Sequence, residues 1–171
     1  MKQEIKAMQE KRFANTQNME ERYKNWANTS ASLMALMVTV GQELCGEEFL
    51  RRVEEVLFEN SKANAHKRKD AAGIRETPDC LAIAKVFDKI DDSLANFWDG
   101  YVEKSPTVLE KRILTCPMAE AFSIAPVICE RVIAAAARGM LKGLNPKADI
   151  TFTELMSKGD NVCCYRIEIK D

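Results

Sequence analysis

The segment Ala148–Ile169, ADITFTELMSKGDNVCCYRIEI, decides the fold of this 171-residue chain. Its two halves, ADITFTELM and NVCCYRIEI, alternate at a period of two, as strands do. The Lys158-Gly159-Asp160 step between them supplies turn residues, so the segment predicts a β-hairpin. Successive strand side chains point to opposite faces. Cys163 therefore shares an apolar face with Tyr165, Ile167 and Ile169. Cys164 falls with Val162, Arg166, Glu168 and Lys170, on a face expected to meet water or a partner subunit. The adjacent thiols diverge, which argues against a vicinal disulfide and against a shared metal.

Upstream, GYVEKSPTVLEKRILTCP (residues 100–117) places a Ser105-Pro106 turn between two segments rich in β-branched residues, a second hairpin. Between the hairpins, residues 117–144 read as helix, with Ile128, Val132, Ile133, Ala136 and Met140 as the buried stripe. Pro126 removes a backbone donor inside it, which predicts a kink or two helices meeting near Ala125. Ahead of the first hairpin, Thr77 as cap and Pro78 as first helical residue open a helix. Its stripe is Ile83, Phe87, Ile90, Leu94 and Phe97.

The remainder, residues 1–76, reads as helical and as part of the same domain as the 77–171 core. A thin stripe at Met19, Tyr23 and Trp26 precedes Asn28-Thr29-Ser30, a plausible cap before a second helix over Leu33–Cys45. After Gly46 a third run carries Phe49, Val53, Val56, Leu57 and Asn60 on one face. SKANAHKRKDAAGIRETPD (residues 61–79) reads as a polar connection holding the one histidine, His66. The order of helices, hairpin, helix, hairpin predicts an α+β fold. It has N-terminal helices, then two β-hairpins around a helix, with about four antiparallel strands covered by helices on one face.

Composition narrows the function classes. The chain is 46% hydrophobic and 30% charged with a formal net charge of −1, so no global field draws it to nucleic acid or anionic membrane. The basic residues around His66 lack interleaved aromatics for base stacking. The apolar run Leu33–Val40 is far shorter than the roughly 20 residues of a membrane span. The charged start, without an apolar signal region, implies a cytoplasmic protein with reduced cysteines. The expected partner is a small molecule, not nucleic acid or membrane, with a homodimer possible through Met19, Tyr23, Trp26 and the Leu33–Val40 run.

Six cysteines then become the chemistry to explain. Cys116 precedes Pro117 at an expected helix N-terminus, where backbone N–H groups would favour a thiolate. Cys129 lies beyond Pro126 on the face of Val132 and Ile133. If that helix lies across the sheet, Cys116, Cys129 and Cys163 converge. Three soft ligands suit zinc or iron, although 13 and 34 residues separate them and no C-x-x-C occurs. Buried packing thiols are the plainer reading.

ILTCPMAEAF, a cysteine about a dozen residues later and GDNVCCYRI together resemble the L-2-amino-thiazoline-4-carboxylic acid hydrolase family, over roughly residues 97–169. More distantly the chain resembles the 4-vinyl reductase type of small-ligand-binding domain. The pattern falls on Cys116, Pro117, Cys129, Gly159, Asp160, Cys163 and Tyr165. Cys164 stands where such sequences commonly carry a polar or acidic residue. The resemblance implies hydrolytic opening of a cyclic C–N bond by thiol- or metal-assisted attack. Cys116 would be the nucleophile, with Cys129 and Cys163 beside it, and Asp160 or Glu120 would move protons. Arg112 or Arg131 would grip a carboxylate and Tyr165 would contact substrate. The alternative is a non-catalytic module holding a small ligand, metal or cofactor in the same pocket.

Overall fold

The computed structural model describes residues 19–93 and 98–170. Helix α1 spans Met19–Cys45 and α2 spans Glu47–Ala71, with Gly46 at φ 65° turning the chain between them. Helix α3 covers Cys80–Ser93. Strands β1 (Trp98–Lys104) and β2 (Val108–Thr115) form the first hairpin. A short α4 (Ala119–Ser123) follows, and a π-helical turn (Ile128–Ile133) runs directly into α5 (Ala134–Leu144). Strands β3 (Ala148–Glu154) and β4 (Cys163–Ile169) form the second hairpin around a 3-10 turn at Met156–Lys158. The sheet is antiparallel throughout, in the order β1-β2-β4-β3. The α+β architecture read from the sequence is the one observed.

Three local readings change. No helix break occurs at Asn28-Thr29-Ser30, and α1 runs through. Thr29 Oγ donates to the Asn25 carbonyl at 2.7 Å and Ser32 Oγ to the Asn28 carbonyl at 2.8 Å. Back-bonding of this kind satisfies hydroxyls inside a helix and removes their reason to cap one. Residues 61–71, read as a connection, are the last turns of α2, and His66 is exposed on them with Nδ1 2.8 Å from the Ala63 carbonyl. The cap of α3 is not Thr77. Asp79 Oδ1 accepts the Ala82 N–H at 2.8 Å, two residues later than predicted. The expected stripe positions Leu94 and Phe97 lie outside the described residues, as do residues 1–18 of the N-terminal region.

Two apolar clusters hold the layers. One joins α3 and α5 to the inner sheet face through Cys80, Ile83, Phe87, Leu109, Leu141 and Ile167. The other joins α1, α2, α4 and the π-helical turn through Ala31, Ala35, Leu50, Phe122 and Ile128. The opposite sheet face is charged. There Arg166 reaches Glu103, Glu110 and Glu168 at 2.8 to 2.9 Å. Cys164 lies on that outward face as the alternation requires, but it is buried rather than wet, its thiol 3.9 Å from Glu110 Oε1.

Candidate functional site

Pairing across the sheet aligns one residue from each strand: Tyr101 opposite Lys111, Lys111 opposite Tyr165, and Tyr165 opposite Phe152. This row lies under α3. Lys111 shares its strand face with Leu109 and Ile113, and its side chain is 0% exposed. Burying an ammonium is costly unless it is paired. Here Nζ lies 3.0 Å from Asp88 Oδ1 and 2.7 Å from Asp91 Oδ2, both on α3, and 5.2 Å from the Tyr101 ring centre. The Tyr101 hydroxyl donates to Asp88 as well. A lysine flanked at period two by Leu109 and Ile113 was the sequence signal for this cluster, and motif reading passes over it.

Tyr165 completes the row. Its ring sits between Phe87 and Phe152, with centroids 5.9 and 6.0 Å away. Its hydroxyl is buried and meets no hydrogen-bonding partner among the described residues. Burial pushes its pKa well above the tyrosine range, with Lys111 opposing and the Asp91 and Asp88 charges adding to it. Native structures leave few buried polar groups unsatisfied, so this hydroxyl requires an explanation.

Two residues before Tyr165, at the start of β4 and on the same face, Cys163 leads to the thiols. Cys163 and Cys129 are close enough to Cys116 to disfavour its ionisation, and Cys163 does the same to Cys129. The convergence comes from three connections: the end of β2, the π-helical turn after Pro126, and the start of β4. The Pro126 carbonyl accepts the N–H groups of both Cys129 and Glu130, which starts that turn. The expected thiolate does not form at Cys116. Burial pushes its pKa up to about 11, outweighing N–H groups from Met118 and Ala119. The five-residue α4 is too short for a strong dipole. Burial also raises Cys129 and Cys163. Ser157, which motif reading missed, is 3% exposed and lies beside Cys129 without reaching full hydrogen-bond geometry. Tyr23 of α1 lies within electrostatic reach of Cys116, which adds to the effect of burial in raising the tyrosine pKa.

The other predicted residues are elsewhere engaged. Arg131 ties the π-helical turn to α2 through Glu54 and Glu47. Arg112 is exposed, as are Glu120 and Asp160. Asp160 accepts the Leu155 N–H at 2.7 Å and so holds the hairpin turn. Among the described residues, no three His, Cys, Asp or Glu side chains gather tightly enough to hold a metal ion. A surface cleft of about 310 Å³ lies along β3, lined by polar groups that include Glu130, Arg138, Lys158 and Asp160. No described helix is long and apolar enough to cross a membrane.

No protein-family model matches this chain, and no curated protein matches it. Two solved structures share its fold. One is a trafficking protein particle complex subunit 3 from Naegleria fowleri, covalently bound to palmitic acid. It is 14% identical with a TM-score of 0.56, over 84% of this chain and 96% of that one. The other is the phenol-responsive sensory domain of the transcription activator PoxR, with phenol. It is 10% identical with a TM-score of 0.61, over 81% of this chain and 74% of that one. At these identities the likeness is one of fold. Neither structure names the thiazoline-carboxylate hydrolase family.

Proposed function

We propose that this chain is a small-ligand-binding module of the 4-vinyl reductase type, and that its ligand is a largely apolar molecule with one neutral hydrogen-bonding group. The observation that carries the reading is the buried, unpartnered Tyr165 hydroxyl between two aromatic rings. Ligand sites of this kind are mostly apolar with a few placed polar groups. Lys111 is already committed to two carboxylates, so the local charge disfavours an anionic ligand. The palmitic acid and phenol named with these two fold neighbours each join an apolar body to one polar group, which supports the same class.

The test is titration of phenol and of a medium-chain fatty alcohol, followed by intrinsic fluorescence and calorimetry. Binding is expected, and Tyr165→Phe should weaken it about tenfold, the worth of one desolvated hydrogen bond. Absence of binding by either probe, or indifference to Tyr165→Phe, overturns the assignment.

The hydrolase reading draws support from the meeting of Cys116, Cys129 and Cys163. It needs a nucleophilic thiolate and a cation for a carboxylate. Cys116 is held protonated by burial, while Arg131 is engaged by Glu47 and Glu54. Turnover of a thiazoline carboxylate that vanishes in Cys116→Ser would restore it.

A further inference from the structure

Helix α1 is packed inside out. The residues it turns to the rest of the molecule are small: Ala27, Ala31 and Ala35 with Val38, all buried, the last three in the cluster shared with α2 and α4. Its large apolar residues face away. Trp26 is 65% exposed, Leu33 60%, Leu36 58%, Met37 64%, Val40 50% and Leu44 79%. With Met34 at 41%, these side chains offer roughly 800 Å². That is the share one partner brings to a standard interface, and more than the largest apolar patch of an ordinary monomer.

The stripe has a second property. Trp26, Ser30, Leu33, Met37, Val40 and Leu44 follow spacings of four, three, four, three and four, the rhythm of a helix-packing seam. Read backwards from Ala35, the same positions recur: Leu33 opposite Met37, Ser30 opposite Val40, Trp26 opposite Leu44. A seam that is its own reverse is complementary to itself when two helices run antiparallel about a two-fold axis.

We propose that the outer face of α1 binds a second copy of this chain, the two α1 helices crossing antiparallel at Ala35. The small inward residues let α1 sit low on its own domain while the large ones serve the partner. Trp26, at the seam, packs tilted against Tyr23 with ring centroids 6.3 Å apart, and Tyr23 lies within electrostatic reach of Cys116. The seam is therefore linked through Tyr23 to the neighbourhood of Cys116.

Sedimentation equilibrium of the full chain over the micromolar range tests this. A dimer is expected, weakened about tenfold or more by Leu33→Glu and by Met37→Glu. Both positions are exposed, so circular dichroism and thermal midpoint should be unchanged in dilute solution. Cross-linking then reads the direction in a Cys45→Ser background. In the antiparallel pair, the two Leu33 positions lie ~6 Å apart along the axis and the two Leu44 positions ~27 Å apart. A short bismaleimide should couple Leu33→Cys copies and not Leu44→Cys copies. A monomer at every concentration, a dimer indifferent to both glutamates, or efficient coupling at Leu44→Cys overturns the proposal. So does a monomer that binds phosphatidylcholine vesicles through this face.

Discussion

Tyr165 joins two opposed requirements in one side chain. Without a ligand its hydroxyl is desolvated for no return, and such a group costs roughly 1–3 kcal/mol. Tyr165→Phe keeps the ring contacts with Phe87 and Phe152 and removes only that oxygen. The ligand-free variant should therefore be more stable than the parent by about 1 kcal/mol in urea unfolding, while binding the apolar probes less well. Lower stability would mean that the hydroxyl has a protein partner and that the binding argument fails. Cys116 permits a second residue-level measurement. With its pKa at about 11, its thiolate fraction at neutral pH is small and grows tenfold per pH unit below that value. Alkylation by iodoacetamide should be slow at pH 7 and climb steeply to pH 10, while the exposed Cys45 reacts first throughout. A fast Cys116 at pH 7 would revive a nucleophilic role.

Between elements, the closest approach is that of α5 to α2, and glycines make it possible. A Cβ on Gly139 would stand 2.1 Å from the Phe58 carbonyl oxygen, and one on Gly143 2.5 Å from both the Ala65 Cβ and the Lys62 carbonyl. Backbone cannot yield as a flexible side chain does. Gly139→Ala, which in an exposed helix would stabilise, should here cost about 1–3 kcal/mol or more by forcing the helices apart. Chemical denaturation measures it, and a neutral result would mean that the helices already sit further apart. The hairpins were readable from sequence because alternation at period two and turn residues are local signals, as at Lys158-Gly159-Asp160. The helix ends were not. Asn28-Thr29-Ser30 has the composition of a cap, and only the i−4 carbonyls decide that its hydroxyls bond backwards. Residues 61–71 are polar nearly all round, so a solvated helix and a loop look alike there. The candidate site divides the same way. Cys116, Cys129 and Cys163 were nameable from spacing and topology. Lys111, its two α3 aspartates and Ser157 were not, because their roles come from partners brought together only by the tertiary fold.

Across the whole molecule, both apolar clusters contain thiols that the fold keeps protonated. Burial raises Cys80 at the start of α3 to about 11 and Cys116 to about 11, and raises Cys129 and Cys163 as well. An unfolded thiol titrates near 9. Below pH 9 both states hold the proton and the contribution to stability is complete. Between pH 9 and 11 the unfolded chain loses protons that the folded chain retains, so stability falls as pH rises. For Cys116 alone, a shift of two units corresponds to about 3 kcal/mol at most. Tyr165, also raised, extends the loss above pH 10. Urea midpoints should therefore hold to about pH 9 and drop sharply by pH 11, steeper than tyrosine and lysine titration on an ordinary surface would produce. The double variant Cys80→Ala with Cys116→Ala should start lower at pH 8, since each truncation leaves a small cavity, yet show a shallower alkaline slope. An unchanged slope would mean that these thiols ionise as freely folded as unfolded, and the buried character of the cluster beside the proposed ligand site would be lost with it.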